Sequence, residues 1–236
     1  MLHLIFLPGL ACDAGMWQAQ LDAAPAHLAA SVTDVHARHA TLQAMAAGLL
    51  AEHAGELILC GASMGGMLAM EVARQAPQRV RGLALLGTNA RPEDAATRAL
   101  REAAIVLFEQ GRMDEVLQAN LPLAFDPTRS ADTALHQAYL AMIGRAGAAQ
   151  LVAQNRAVIN RPDALAHIGG LRCPVLVLCG EGDALTPPDR AREIASAIAG
   201  AELALLPQCG HMLTLERPAA VNARLLDWLG RIAPAA

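Results

Sequence analysis

An α/β fold, with a mostly parallel sheet of about six strands flanked by helices and interrupted by an all-helical insertion, is predicted by three features of this 236-residue sequence. Apolar runs of strand length alternate with amphipathic helical stretches through the first half. The strand runs are apolar throughout, as strands covered on both faces are. Between residues 91 and 166 no good strand run occurs and alanine-rich helical periodicity takes over. The expected division is an α/β core over 1–90 and 167–236 and a helical cap over 91–166.

The elements follow in order. "LHLIFL" (2–7) is a strand that stops at Pro8-Gly9. "AGMWQAQLDAA" is a helix, "HLAASVTDV" a strand and "TLQAMAAGLLAEHA" a helix. Then come the strand "ELILC", the helix "GMLAMEVARQAP" and the strand "VRGLALLG". The insertion is carried by "ATRALREAAIVLFEQGRMDEVLQANL", "TALHQAYLAMIG" and "AAQLVAQNRAVI". Strand character returns in "CPVLVLCG" (173–180), followed by the helix "PDRAREIASAIA" and the strand "AELALLP". The last helix, "RPAAVNARLLDWLGRI", has Pro218 in its first turn, where a missing N–H leaves nothing unpaired.

Composition bounds the function. Hydrophobic residues make up 54%, charged residues 17%, and the formal net charge is -4. This is a compact chain with no charge excess to attract nucleic acid. All eighteen basic residues are arginine. Without lysine there is no Schiff-base nucleophile and no phosphate-binding P-loop. The five cysteines are an odd number without metal or disulfide spacing. Cys60 and Cys179 fall inside strand runs as buried thiols, which suits a reducing cytoplasm. The start "MLHLIFLPGLAC" imitates a lipoprotein signal, but it lacks a basic region and has glycine three residues before Cys12. No segment is long and apolar enough to span a bilayer, so no membrane partner is expected. His36-x-x-His39 has no further ligands, so no metal is expected. Nothing in the sequence bears on oligomeric state.

One stretch carries chemistry. Gly61-Ala62-Ser63-Met64-Gly65 fits G-x-S-x-G and lies between a strand and a helix, the setting in which such a serine is thrust above a sheet edge. The Met64 N–H, at a helix N-terminus, then faces any oxyanion formed there. A serine hydroxyl needs a base, and a base needs an orienting acid. Asp183 in "VLVLCGEGDALTPP" and His211 in "LALLPQCGHMLTLERP" each follow a strand, at the same sheet edge and in the chain order Ser, Asp, His. Asp94, after "LLGTNARPED", is the next acid if Asp183 is not the partner. The second oxyanion donor should come from the loop after the first strand, where Gly9 makes the Leu10 N–H approachable.

These motifs resemble the α/β-hydrolase superfamily, specifically its small cap-bearing serine hydrolases of carboxylesterase type. The resemblance runs over nearly the whole chain, strongest in "LPGL", "GASMGG", "CPVLVLCGEGDALTPP" and "GHMLTLERP" and weakest in the cap. It implies Ser63 as nucleophile, His211 as general base, Asp183 as its orienting acid, and Leu10 and Met64 as oxyanion donors. Many relatives carry His-Gly where this chain has Pro8-Gly9. The chain opens on what would be the family's third strand, so the leading hairpin is expected to be missing. The implied reaction is hydrolysis of a small or medium carboxylic ester through an acyl-enzyme, with no cofactor and a small-molecule ester as partner. In such enzymes the cap lines the substrate pocket, and Trp17, Phe108, Leu121, Phe125 and Met142 are the expected apolar contacts.

Alternatives remain open. A carrier-protein ester or thioester hydrolase wants a basic cap face, yet 91–166 holds eight arginines against nine acids. An enol-lactonase or C–C bond hydrolase of aromatic degradation wants a cationic anchor, which Arg98, Arg101, Arg145, Arg156 or Arg161 could supply. A perhydrolase uses the same triad. A non-catalytic ligand-binding protein of this fold would have a decayed site. Serine at the elbow argues against look-alike dehalogenases and epoxide hydrolases, which use aspartate, and Tyr139 is the only tyrosine.

Overall fold

The computed structural model describes residues 2–232. Strands β1 (Leu2–Leu7), β2 (Ala29–Val32), β3 (Glu56–Ala62), β4 (Val80–Leu86), β5 (Val175–Gly180) and β6 (Glu202–Leu206) form one sheet. Their order is β2-β1-β3-β4-β5-β6 and every neighbouring pair is parallel. Because side chains alternate along a strand, the central strands feed two cores. Ile5, Leu7, Leu57 and Leu59 pack with helices α3 (Leu42–Glu52), α4 (Met64–Gln75) and α9 (Pro188–Ala197). Leu4, Phe6, Ile58 and Cys60 face the other way, onto α11 (Pro218–Leu229) and the segment between β4 and β5. Both faces being covered explains why the central strand runs β1, β3, β4 and β5 are almost wholly apolar, while the edge strands β2 and β6 are partly exposed.

All regular structure between β4 and β5 is helical: α5 (Ala95–Glu109), α6 (Met113–Ala124), α7 (Thr133–Ile159) and α8 (Leu165–Ile168), with a short 3₁₀ turn before α7. Gly147, at φ 74°, breaks α7 into two arms. The two ends of the segment are tied together where they leave the sheet. Arg161 donates to the Arg91 carbonyl at 2.8 Å and to Glu93 at 2.7 Å, and Arg101 reaches the same carboxylate at 2.6 Å.

Differences from expectation are small and local. The strand expected over "HLAASVTDV" pairs only through Ala29–Val32, at the sheet edge where a single neighbour supports it. The helix expected over "AGMWQAQLDAA" is a 3₁₀ turn running into α1 (Gln18–Asp22). Helices α2 (Val35–Arg38) and α10 (Leu213–Glu216) have four residues each, too short to show a helical period. With β1 between β2 and β3, the connections leave β1 and β3 in opposite directions. Their carboxyl ends therefore open a crevice, the place where sheets of this type hold their chemistry. The loop after β1 and the turn after β3 both end there.

Candidate active site

Ser63 joins β3 to α4 in an unusual backbone conformation, φ 53° and ψ -117°. Such a residue costs of order 1–3 kcal/mol and persists only when its surroundings hold it. Here the Ser63 N–H donates to Leu86 O at 2.9 Å, and Thr88 Oγ1 donates to Ser63 O at 2.7 Å. The flanking glycines are needed because backbone meets backbone. A Cβ on Gly65 would overlap the Leu7 carbonyl oxygen and stand 2.7 Å from that of Pro8; one on Gly61 would overlap the carbonyl oxygen of Gly65. The turn thus brings the N-terminus of α4 against the end of β1.

Three loops at this edge meet on one line of hydrogen bonds. His211, after β6, places Nε2 3.0 Å from Ser63 Oγ. Its Nδ1 lies 2.9 Å from Oδ2 of Asp183, which follows β5. With Asp183 an acceptor, Nδ1 carries the proton and Nε2 presents its lone pair to the serine. Asp183 is itself fixed: Oδ1 accepts from the Leu185 and Thr186 amides at 2.9 and 2.8 Å, and Oδ2 from Thr186 Oγ1 at 2.8 Å. Burial pushes its pKa up, but the neighbouring His211 and these hydrogen bonds outweigh burial and hold the carboxyl below its ordinary value. The His211 loop has its own support. Buried Glu216 accepts from the Gly210 and Asp126 amides, each at 2.9 Å, and the His211 and Met212 amides donate to Ala124 O.

The loop after β1 completes the arrangement. A Cβ on Gly9 would stand 3.5 Å from Ser63 Cβ, so this loop lies directly against the elbow. The Gly9 N–H points to Met16 Sδ at 3.4 Å, the Ala11 N–H donates to Gln154 Oε1 at 2.6 Å, and the Cys12 N–H donates to Gly9 O at 3.1 Å. Of these four consecutive amides only that of Leu10 lacks a partner among the described residues, and the Met64 amide on the other side of Ser63 also lacks one. Backbone donors left unpaired are uncommon, and these two belong to the residues expected to hold an oxyanion.

The structure brings together Ser63, Asp183 and His211, with Leu10 and Met64 beside them. The expected apolar contacts belong to one hydrophobic cluster, with Leu121 packed against its margin. Trp17 is fully buried and packs on Phe6, with ring centroids 5.0 Å apart. Phe108 is buried in the core from α5, and Leu121 is partly buried on α6. Phe125 packs against Tyr139 and His136 and abuts Gly210, the residue before His211. Met142 lines a cavity of about 240 Å³ between α7 and the β1 and β2 loops, with Cys12, Thr33, His36, Arg145 and Gln150 among its other walls. Asp94 caps α5 by accepting from the Thr97 N–H at 2.9 Å. Burial pushes the Cys12 thiol up to about 12, which makes it a poor nucleophile despite its nearness to Ser63. Among the described residues no group of three or more His, Cys, Asp or Glu side chains could hold a metal ion, and no helix is long and apolar enough to cross a membrane.

Sequence reasoning missed Thr186, Thr88, Glu216 and Gln154. Thr186 stands three residues after Asp183, the spacing at which an aspartate caps the following amide, and so could have been found. Thr88 and Gln154 act across the fold and leave no local signal.

A family model described as the alpha/beta hydrolase family matches residues 4–224. The pimeloyl-[acyl-carrier protein] methyl ester esterase of Aromatoleum aromaticum is 32% identical over 198 residues, 77% of each chain. Among solved structures, a thermophilic esterase from Thermogutta terrifontis, with malate bound, has a TM-score of 0.90 at 25% identity over 99% of this chain and 91% of that one. The enol-lactonase from Burkholderia xenovorans LB400 has a TM-score of 0.87 at 23% identity, covering 98% of this chain and 92% of its own; at that identity the likeness is one of fold.

Proposed function

The chain belongs to the alpha/beta hydrolase family, and from that premise we propose that it is a serine esterase cleaving small or medium carboxylic esters on a Ser63–His211–Asp183 triad. The observation that carries this reading is the unbroken relay from Asp183 Oδ2 through His211 to Ser63 Oγ, at 2.9 and 3.0 Å, beneath two unpaired amides. Ser63 Oγ attacks the ester carbonyl carbon while its proton passes to His211 Nε2. The carbonyl oxygen becomes an oxyanion that accepts from Leu10 and Met64 N–H. As the tetrahedral intermediate collapses, His211 returns the proton to the departing alkoxide. Water then attacks the acyl-Ser63 ester, losing a proton to His211; as this second tetrahedral intermediate collapses, His211 returns the proton to Ser63 Oγ and the carboxylic acid leaves.

The helical segment over 91–166 is the proposed cap, and its charges favour an uncharged substrate. All eight of its arginines sit within ion-pair distance of a carboxylate. With a carboxylate beside each arginine, the segment offers no unopposed cation to a substrate carboxylate, and eight arginines against nine acids give it no positive surplus to receive an acidic carrier. Hydrolysis of p-nitrophenyl esters from acetate to decanoate tests the reading: turnover peaking at a short or medium acyl chain is expected, and none at any length in folded protein refutes it. A second reading, a methyl ester carried on an acyl-carrier protein, is favoured by the 32% identical relative. It predicts cleavage of carrier-bound methyl esters in preference to the free methyl ester of the same acid.

A further inference from the structure

We propose that Gln154, on α7 of the segment between β4 and β5, is a positioning residue for the reaction: its side chain holds the loop after β1 in the shape that presents the Leu10 N–H. The inference rests on the esterase reading and on Leu10 as oxyanion donor.

Gln154 is 1% exposed and sits more than a hundred residues from both of its partners. Its Oε1 accepts from the Ala11 N–H at 2.6 Å, and its Nε2 donates to the His36 carbonyl at 2.9 Å. A buried glutamine on a helix would ordinarily be replaced by an apolar residue unless both ends of its amide were used, since an unpaired buried polar group costs about 1–3 kcal/mol. Here both ends are used, and both reach the loops beside β1.

Ala11 is what needs holding. Its φ is 56°, in the left-handed region that a residue with a Cβ enters at a cost of roughly 1–2 kcal/mol. Nothing in "PGLACD" forces this. The conformation turns the Leu10–Ala11 peptide so that its N–H points to Gln154, and the neighbouring Gly9–Leu10 peptide is left with a free N–H. On its other side the loop is fixed by Cys12, whose N–H donates to Gly9 O and whose carbonyl accepts from His36 Nε2 at 2.8 Å. His36 is thus bonded through its ring to Cys12 and through its carbonyl to Gln154. The loop is clamped on both sides, and α7 supplies the clamp at the residue adjoining Leu10. Without Gln154 the Ala11 amide loses its acceptor and Ala11 is free to return to negative φ, which swings the Leu10 amide away from Ser63.

Gln154→Met keeps the volume and removes both hydrogen bonds. Losing an oxyanion donor outright costs about 10²- to 10³-fold in kcat. A donor misplaced but still present should cost about 10- to 100-fold. Such a fall in kcat with KM within about twofold is expected for a p-nitrophenyl ester. The Ki of benzeneboronic acid, whose serine adduct places an oxygen where the oxyanion would be, should rise by the same factor as kcat falls. That parallel is the readout a merely structural role would not move. A folded Gln154→Met protein with kcat within twofold of wild type overturns the proposal, as does a fall in kcat with boronate affinity unchanged.

Should Gln154→Met melt below the assay temperature, Gln154→Glu decides, because its carboxyl still accepts from Ala11. It is expected to hold kcat within about threefold while losing stability at the His36 carbonyl; a tenfold or larger loss of kcat in folded Gln154→Glu overturns the proposal. Wild-type protein that hydrolyses no ester and takes no fluorophosphonate defeats the esterase reading itself. Wild-type protein that does both, with an unaffected Gln154→Met, defeats only this inference.

Discussion

Asp183→Asn is the sharpest perturbation of the relay because the surroundings dictate how the new amide must sit. Oδ1 of Asp183 accepts from two backbone amides, those of Leu185 and Thr186. An NH₂ group there would put donor against donor twice, so the amide oxygen takes that position and the NH₂ takes the place of Oδ2. It then faces His211 Nδ1, 2.9 Å from the present oxygen and nearer than Oδ1 at 3.1 Å, and donates to it, while the Thr186 hydroxyl, which now donates to Oδ2, turns to accept. Nδ1 becomes an acceptor, the ring proton moves to Nε2, and Nε2 points that proton at Ser63 Oγ. The histidine keeps its place and cannot take the serine's proton. In serine proteases the equivalent change costs about 10⁴-fold in kcat, which is about 5 kcal/mol of transition-state stabilisation. The assay is p-nitrophenyl ester hydrolysis at pH 8, with thermal melting to show that the variant is folded. Turnover within tenfold of wild type would refute the tautomer argument and move the orienting role away from Asp183.

Gly65→Ala should drive a Cβ into the Leu7 carbonyl; overpacking of this kind costs about 1–3 kcal/mol, and an elbow moved by ~1 Å loses about 100-fold in kcat. Unchanged melting and kcat would contradict the packing described at the β1–α4 contact. Glu93→Gln should leave the Arg161 guanidinium, 3% exposed, without its carboxylate partner. Breaking a buried pair costs about 3–5 kcal/mol, or roughly 10 °C in Tm at this chain length, and a melt within 2 °C of wild type would show that the pair does not hold the ends of the helical segment. Burial holds the His36 pKa below its ordinary value, with the Cys12 carbonyl only partly offsetting it. A depressed histidine contributes stability that is present above the unfolded pKa of about 6.5 and lost as pH falls through the folded value. Tm should therefore decline from pH 7 to pH 5, and His36→Gln should shallow that decline; an identical slope in both proteins would remove His36 as its cause.

How much of this was legible in the sequence depended on whether a feature is local. The parallel sheet was readable because its central strands are buried on both faces, which writes an unbroken apolar run such as "ELILC" or "CPVLVL". The elbow was readable because two backbones approach within contact at Gly61 and Gly65 and leave no room for a Cβ. Asp183 and His211 were readable because each follows a strand run, and parallel strands deliver their following loops to one edge. Apolar substrate contacts have no signature of their own in the sequence, since core and pocket draw on the same residue types: Trp17 packs on Phe6, whereas Met142 lines a cavity. Gln154 was invisible for a different reason. Its partners are set by how α7 folds back over the sheet, and nothing sets it apart from Gln137 and Gln150 in the same alanine-rich helix.

That Ser63 is an activated nucleophile underlies every step proposed for this site. It is tested most directly by the intact mass of the protein after exposure to a fluorophosphonate, beside the Ser63→Ala variant. One adduct per chain is expected on wild-type protein, located by peptide mapping to the segment that contains Ser63, and no adduct on the variant. A wild-type protein that stays unlabelled, or a Ser63→Ala protein that labels equally well, would contradict it.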